Sequence, residues 1–148
     1  MGVDWGKARI GVAASNAGTS LAYPVETVAA GAQELQRLAA LAAEYEPGAI
    51  YVGLPLTLSG ERQQAAQFVT AKAEALATLV APLPVRLIDE RMSTASASRT
   101  LSGAGHRVKQ QRRMIDQAAA VEILQRAMEW EARTSSLAGE PVGEGDAT

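Results

Sequence analysis

Apolar and polar positions along this chain change period once, and that change divides it into two parts. The opening MGVD reads as the last part of a strand and RIGVAAS (Arg9–Ser15) as a second strand, with a Gly–Lys pair between them as a tight hairpin signal. LAYPVETV (Leu21–Val28) predicts a third strand, and Pro24 places it at a sheet edge or bulge. From Ala32 to Tyr45 the apolar positions Leu35, Leu38, Ala42 and Tyr45 recur at helical spacing, and Glu46–Gly48 ends that helix. AIYVGLP (Ala49–Pro55) is a buried strand stopped by Gly53 and Pro55, and Gly53 also lets backbone approach closely. A second helix spans Gly60–Val80, Pro82–Pro84 breaks it, and VRLID (Val85–Asp89) is the next strand. STASASRTL begins a short helix with Ser93 or Thr94 as N-cap, Ser102–Gln111 is a glycine-containing loop, and the last helix runs over Arg112–Glu131.

The predicted order is three strands, then helix, strand, helix, strand and helices, with no internal repeat. An antiparallel three-strand meander followed by αβ units gives a mixed sheet with two further parallel strands, flanked by helices. That is the plan of a ribonuclease H-like α/β domain, although periodicity alone does not separate it from other α/β folds. The first strand is short for a sheet centre, which raises the expectation that the native chain begins before Met1.

Composition narrows the chemistry. The 148 residues, 47% apolar and 20% charged, are the length and balance of one globular domain. We expect that domain over 1–133, followed by a disordered acidic tail over 134–148. There is no cysteine and one histidine, His106, which excludes disulfides and argues against thiolate or His-rich metal sites. No stretch approaches the ~20 apolar residues of a membrane span, and no secretory leader is visible, so a cytoplasmic protein without membrane contact is expected.

The net charge of −2 conceals an uneven distribution. The tail carries Glu140, Glu144 and Asp146 and no basic residue; without it 14 basic residues face 13 acidic ones. Seven of the basic residues, Arg86, Arg91, Arg99, Arg107, Lys109, Arg112 and Arg113, fall in one stretch opposed only by Asp89 and Glu90. A polyanion responds to this local charge rather than to the total. Lys7 and Arg9 flank the first hairpin beside Asp4, and Arg62 stands at the start of the second helix, where phosphate contact or simple solvation are both open readings. The segment Arg99–Arg113 favours backbone binding to nucleic acid, which predicts strong salt dependence and weak sequence specificity.

Three carboxylates are placed where they could meet. Asp4 lies near the end of the first strand, and Asp89 and Glu90 close the later one. Asp116 continues a helical stripe with Ala119, Ala120, Ile123 and Ala127, so its position faces the sheet. Each alone fits a turn residue, a surface ion pair or a local helix contact. Together they offer the hard oxygen donors that Mg2+ or Mn2+ requires, and two such ions about 4 Å apart serve phosphodiester hydrolysis without Cys or His. If VRLID alternates as a strand, Asp89 and Glu90 point to opposite faces and only one of them can be a direct ligand.

The segments GVDWGKARIGVAAS, YPVETV, YVGLPLTLSG, LIDERMST and RRMIDQAAAVEILQ, in that order from residue 2 to about 125, resemble the YqgF or RuvX-like family, whose members are described as pre-16S rRNA nucleases and as Holliday junction resolvases. The resemblance implies a ribonuclease H-like fold and a metal-dependent nuclease site. Carried over by position, the catalytic and metal-binding acids are Asp4, Glu90 and Asp116, with Asp89 as an adjacent helper. Lys7, Arg9, Arg62, Arg91, Arg99, Arg107, Lys109, Arg112 and Arg113 are the candidate nucleic-acid contacts. One departure is Ser15–Asn16, where the family has Ser–Asp; the three acids are unaffected.

The first functional reading is a Mg2+- or Mn2+-dependent endonuclease on structured nucleic acid, processing the 5′ end of precursor 16S ribosomal RNA. The alternatives are a resolvase of four-way DNA junctions and a non-catalytic RNA-binding factor of ribosome assembly. Expected partners are precursor ribosomal RNA or a DNA junction and ribosomal assembly intermediates, with the protein a monomer or homodimer. An actin-like ATPase or sugar kinase shares the opening Asp-x-Gly but needs a duplicated domain, for which 148 residues leave no room.

Overall fold

The switch from alternating to helical periodicity produces an open sheet with helices on both faces. The computed structural model describes residues 1–16, 21–56, 63–90 and 108–142, and of 108–116 the backbone only. Its elements are β1 (Gly2–Trp5), β2 (Arg9–Ser15), β3 (Ala22–Ala29), α1 (Glu34–Tyr45), β4 (Ile50–Leu54), α2 (Gln64–Val80), β5 (Val85–Asp89), α3 (Val108–Thr134) and β6 (Glu140–Pro141). The described strands form one sheet in the order β3-β2-β1-β4-β5-β6. β1, β2 and β3 are an antiparallel meander, β1, β4 and β5 run parallel, and β6 is antiparallel to β5. This is the mixed α/β, ribonuclease H-like plan expected from the chain.

Alternation along each strand sorts the sheet into two cores. Val3, Trp5, Ile10, Val12, Ile50, Val52, Leu54, Val85 and Leu87 pack under α1 and α2, against Leu38, Leu41, Val69, Ala73 and Leu76. On the other face, Ala13, Tyr51 and Ile88 meet Ala120, Ile123, Leu124 and Ala127 of α3. Small residues allow that helix to lie close. A Cβ built on Gly2 would stand 2.5 Å from the Ala120 carbonyl oxygen and 2.8 Å from Leu124 Cβ.

α1 and α2 are tied to each other by a partly buried ion pair. The Lys72 ammonium lies 2.8 Å from Glu34 Oε2, and Glu34 Oε1 accepts the Gly31 N–H at 2.9 Å. Burial raises the Glu34 pKa, but Lys72 and the Gly31 N–H offset it, so the carboxyl sits below its ordinary value of 4.5.

Several boundaries differ from the sequence reading, among them α2, which begins at Gln64 rather than Gly60. β3 is shifted by one residue, α1 begins at Glu34 rather than Ala32, and α3 begins at Val108 and ends at Thr134. Residues 108–111, read as loop because of the neighbouring glycines, are therefore helical. The expected short helix over STASASRTL lies outside the described residues.

The acidic stretch after Thr134 is partly built into the domain. Glu140–Pro141 pairs with Arg86–Leu87, Val142 and Ala138 are buried, and the Val142 N–H donates to the Val85 carbonyl at 3.1 Å. Arg86 donates to the carbonyl oxygens of Ala138 (2.9 Å), Leu137 (3.2 Å) and Gly139 (2.6 Å). Arg86, counted above with the basic stretch, is committed to holding this segment. Composition read it as a tail because strand pairing at a sheet edge uses backbone groups, which leave no mark on side-chain polarity.

Candidate active site

The parallel strands β1, β4 and β5 end along one edge of the sheet, the place where reactive side chains of α/β folds reach solvent together. Asp4 is the penultimate residue of β1 and shares with Gly2 the face covered by α3, since Val3 and Trp5 point into the opposite core. The register Val3↔Val52 sets Asp4 beside Gly53. Gly53 in turn pairs with Ile88 and Leu54 with Asp89, and the Glu90 N–H continues the ladder by donating to the Leu54 carbonyl at 3.1 Å.

Gly53 is the centre of this arrangement. A Cβ on it would come within 2.8 Å of Glu90 Cδ, 2.9 Å of Glu90 Cγ and 2.6 Å of Ile123 Cδ1. The Glu90 side chain thus lies across the face of β4, filling the space the glycine leaves. β1 and β5 are two strand spacings apart, roughly 9.6 Å; by reaching over β4, Glu90 closes about half of that gap toward Asp4. Both carboxylates are 6% exposed. Asp89 is half-buried and lines a separate cleft with Arg126 and Trp130 of α3.

Asp116 belongs to α3, and helical register continues through it the stripe of buried Ala119, Ala120, Ile123 and Ala127. Its neighbour Gln117 donates to Thr27 Oγ1 at 3.0 Å; Thr27 pairs with Gly11, and Gly11 with Asp4. Helix position 116 is therefore level with Asp4 along the strands. Its side chain is not among the described ones, and among the described residues no three acidic or histidine side chains form a metal-holding group.

Of the basic candidates, Lys7 is exposed in the β1–β2 turn and Arg9 is half-buried at the start of β2. The turn closes with the Gly6 N–H on the Arg9 carbonyl at 2.9 Å, where a Cβ on Gly6 would stand 2.7 Å from that oxygen. Lys109, Arg112 and Arg113 fall on the first turns of α3. Arg62, Arg91, Arg99 and Arg107, with His106, lie outside the described residues. The sequence places both a strand stop and a close approach at Gly53; the strand runs through it to Leu54. A glycine inside a strand signals close approach, but not which groups approach, here Glu90 and Ile123.

A family model described as RuvX, Holliday junction resolvase, matches residues 1–130. The chain belongs to the RuvX family. A relative from Cutibacterium acnes, named "Putative pre-16S rRNA nuclease", is 50% identical over 129 residues, covering 87% of this chain and 81% of that one. A relative of the same name from Mycobacterium tuberculosis is 50% identical over 145 residues, covering 97% and 84%. Among solved structures, T. thermophilus RuvC in complex with Holliday junction substrate superposes with a TM-score of 0.52 at 19% identity, over 95% of this chain and 97% of that one. At that identity the likeness speaks for the fold.

Proposed function

We propose that this RuvX-family protein is a divalent-metal-dependent endonuclease that hydrolyses phosphodiesters in structured nucleic acid, with the 5′ end of precursor 16S ribosomal RNA as its substrate. The observation that carries the reading is the pair of buried carboxylates on one face, Asp4 and Glu90, with Gly53 holding open the space between their strands. Buried carboxylates are costly without cations. Oxygen donors without sulfur or imidazole suit hard ions, so the residues present fit Mg2+ or Mn2+. Divalent-metal dependence is general among RuvX- and RuvC-like nucleases.

Asp4, Glu90 and Asp116 are the residues that would hold the metal, and Asp89 acts as a helper beside Glu90. Bound divalent ions supply an activated water and stabilisation of the leaving oxygen. The chain supplies the rest. Asp4 is fixed by a strand paired on both sides, and Glu90 is fixed by its ladder bond to Leu54 and by contact with Gly53. Both are then pre-set before substrate arrives, which limits reorganisation during the reaction. Lys7 and Arg9, in the turn next to Asp4, meet the phosphates flanking the cut. Arg62, Arg91, Arg99, Arg107, Lys109, Arg112 and Arg113 bind the backbone beyond it.

The name shared by the relatives favours ribosomal RNA. The description of the family model supports a second reading, cleavage of four-way DNA junctions by a two-fold dimer. Incubating the protein with a labelled ribosomal RNA precursor and with a DNA junction, each with Mg2+ or Mn2+, tests both. Metal-dependent cleavage of the RNA, abolished by Asp4→Asn, is expected. Undiminished cutting by that variant would remove the site assignment, and cutting of the junction alone would select the second substrate.

A further inference from the structure

Beside the candidate acids lies a cleft of about 360 Å³, with Asp89 and Ile88 on one wall and Arg126, Trp130 and Arg133 of α3 on the other. Trp130 is 46% exposed, whereas the chain's other tryptophan, Trp5, is 5% exposed in the core under α1 and α2. An indole left this open costs apolar burial, and charged Asp89, Arg126, Glu129 and Arg133 line the cleft beside it together with Ile88, Ala127 and Ala138. The Arg133 guanidinium carbon stands 5.8 Å from the Trp130 ring centroid, the distance of a cation–π contact. A flat π surface beside cations is the arrangement that takes a stacked base together with its phosphate.

Position links the cleft to the acids. Asp89 precedes Glu90, and Ile123, which meets the Gly53–Glu90 contact, is seven residues before Trp130 on α3. Seven helical residues span two turns and about 10.5 Å. That is the reach of about three stacked nucleotides at ~3.4 Å each.

We infer that Trp130, with Arg133 and Arg126, forms a stacking site for an unpaired nucleobase of the nucleic-acid substrate, a few nucleotides from the bond that is cut. The inference rests on the nuclease reading and deepens it by selecting substrates with an unpaired segment next to the cleavage point. The low aromatic content of 4% argued against stacking as the main mode of binding; a single exposed tryptophan adds one anchor to an otherwise electrostatic interface. Asp89 and Glu129 also line the cleft and place acceptors near the exocyclic amino groups of a base.

Tryptophan emission reads the site directly, because Trp130 is the solvent-facing one of two. The full chain is titrated in EDTA, so that nothing is cut, with a single-stranded RNA oligonucleotide and with a fully paired duplex of the same sequence, binding being followed separately by anisotropy of a labelled strand. The single strand is expected to quench Trp130 as it binds, and the duplex to bind with little quenching. Trp130→Ala should weaken single-strand binding about 5- to 150-fold, the range found for loss of one stacked base. Trp130→Tyr should restore most of it, a rescue that loss of fold would not allow. Binding of the single strand without quenching, together with wild-type affinity in Trp130→Ala, overturns the stacking site and leaves the nuclease reading standing. Absence of binding by either nucleic acid overturns the stacking site, and the nuclease reading is then decided separately by the metal-dependent cleavage assay.

Discussion

Replacing Gly53 by alanine is the sharpest perturbation available at the candidate site. The added methyl would stand 2.8 Å from Glu90 Cδ and 2.6 Å from Ile123 Cδ1, whereas ordinary carbon contacts begin near 3.4 Å. Glu90 must therefore retreat by about 0.6 Å from the space over β4, and Ile123 by somewhat more. Both obstacles are side-chain ends, so the fold accommodates them. Overpacking costs about 1–3 kcal/mol, offset by ~0.4–1 kcal/mol from the stiffer unfolded chain. Catalysis is less forgiving, since a misplacement of ~1 Å costs about 100-fold. A turnover loss of about 10- to 100-fold, equivalent to ~1.4–2.7 kcal/mol of barrier, is expected with a small change in melting temperature. Gly2→Ala is the comparator: its methyl meets the backbone carbonyl of Ala120 2.5 Å away, which cannot rotate aside, so its effect should fall on stability through the docking of α3. Steady-state cleavage and thermal unfolding of both variants decide the matter. A Gly53→Ala protein that cuts at the wild-type rate with unchanged metal dependence would refute the placement of Glu90.

Glu34 sets an acid limit on stability: its folded pKa is lowered, so the stabilisation is complete above the ordinary value of 4.5 and fades as pH falls through the lower folded value. Denaturant midpoints measured downward from pH 6 should drop in wild type and drop less in Glu34→Gln, which starts about 1–3 kcal/mol less stable. Truncation after Ser136 removes buried Ala138 and Val142 and the three carbonyl acceptors of Arg86, and should cost roughly 2–4 kcal/mol by urea unfolding. If the truncated chain unfolds at the wild-type midpoint, residues 137–142 are not part of the domain.

Much of the architecture is written in periods that survive folding. The alternation of Val3 and Trp5 against Gly2 and Asp4, and the stripe from Ala119 to Ala127, predict the two faces of the sheet and the helix that covers one of them. Contacts between elements distant in the chain are less legible. Gly53 reads as a strand stop when seen with Pro55, and its role depends on Glu90 and Ile123, which are 37 and 70 positions away. Pairing of Glu140–Pro141 with β5 is a backbone event in a polar stretch. Trp130 is unremarked in a helical pattern because its exposure is settled by where the sheet ends beneath α3. Asp89 and Glu90 are adjacent in sequence, and only the contact over Gly53 tells which one leans toward Asp4.

The central claim, that Asp4, Glu90 and Asp116 converge to hold divalent metal, is tested most directly by the crystal structure of the protein soaked in Mn2+, located by its anomalous scattering. The account predicts manganese at the C-terminal edge of β1 and β4, with carboxylate oxygens of Asp4, Glu90 and Asp116 as ligands. Manganese bound elsewhere, or none at millimolar concentration with the three carboxylates in ordered density, would contradict it.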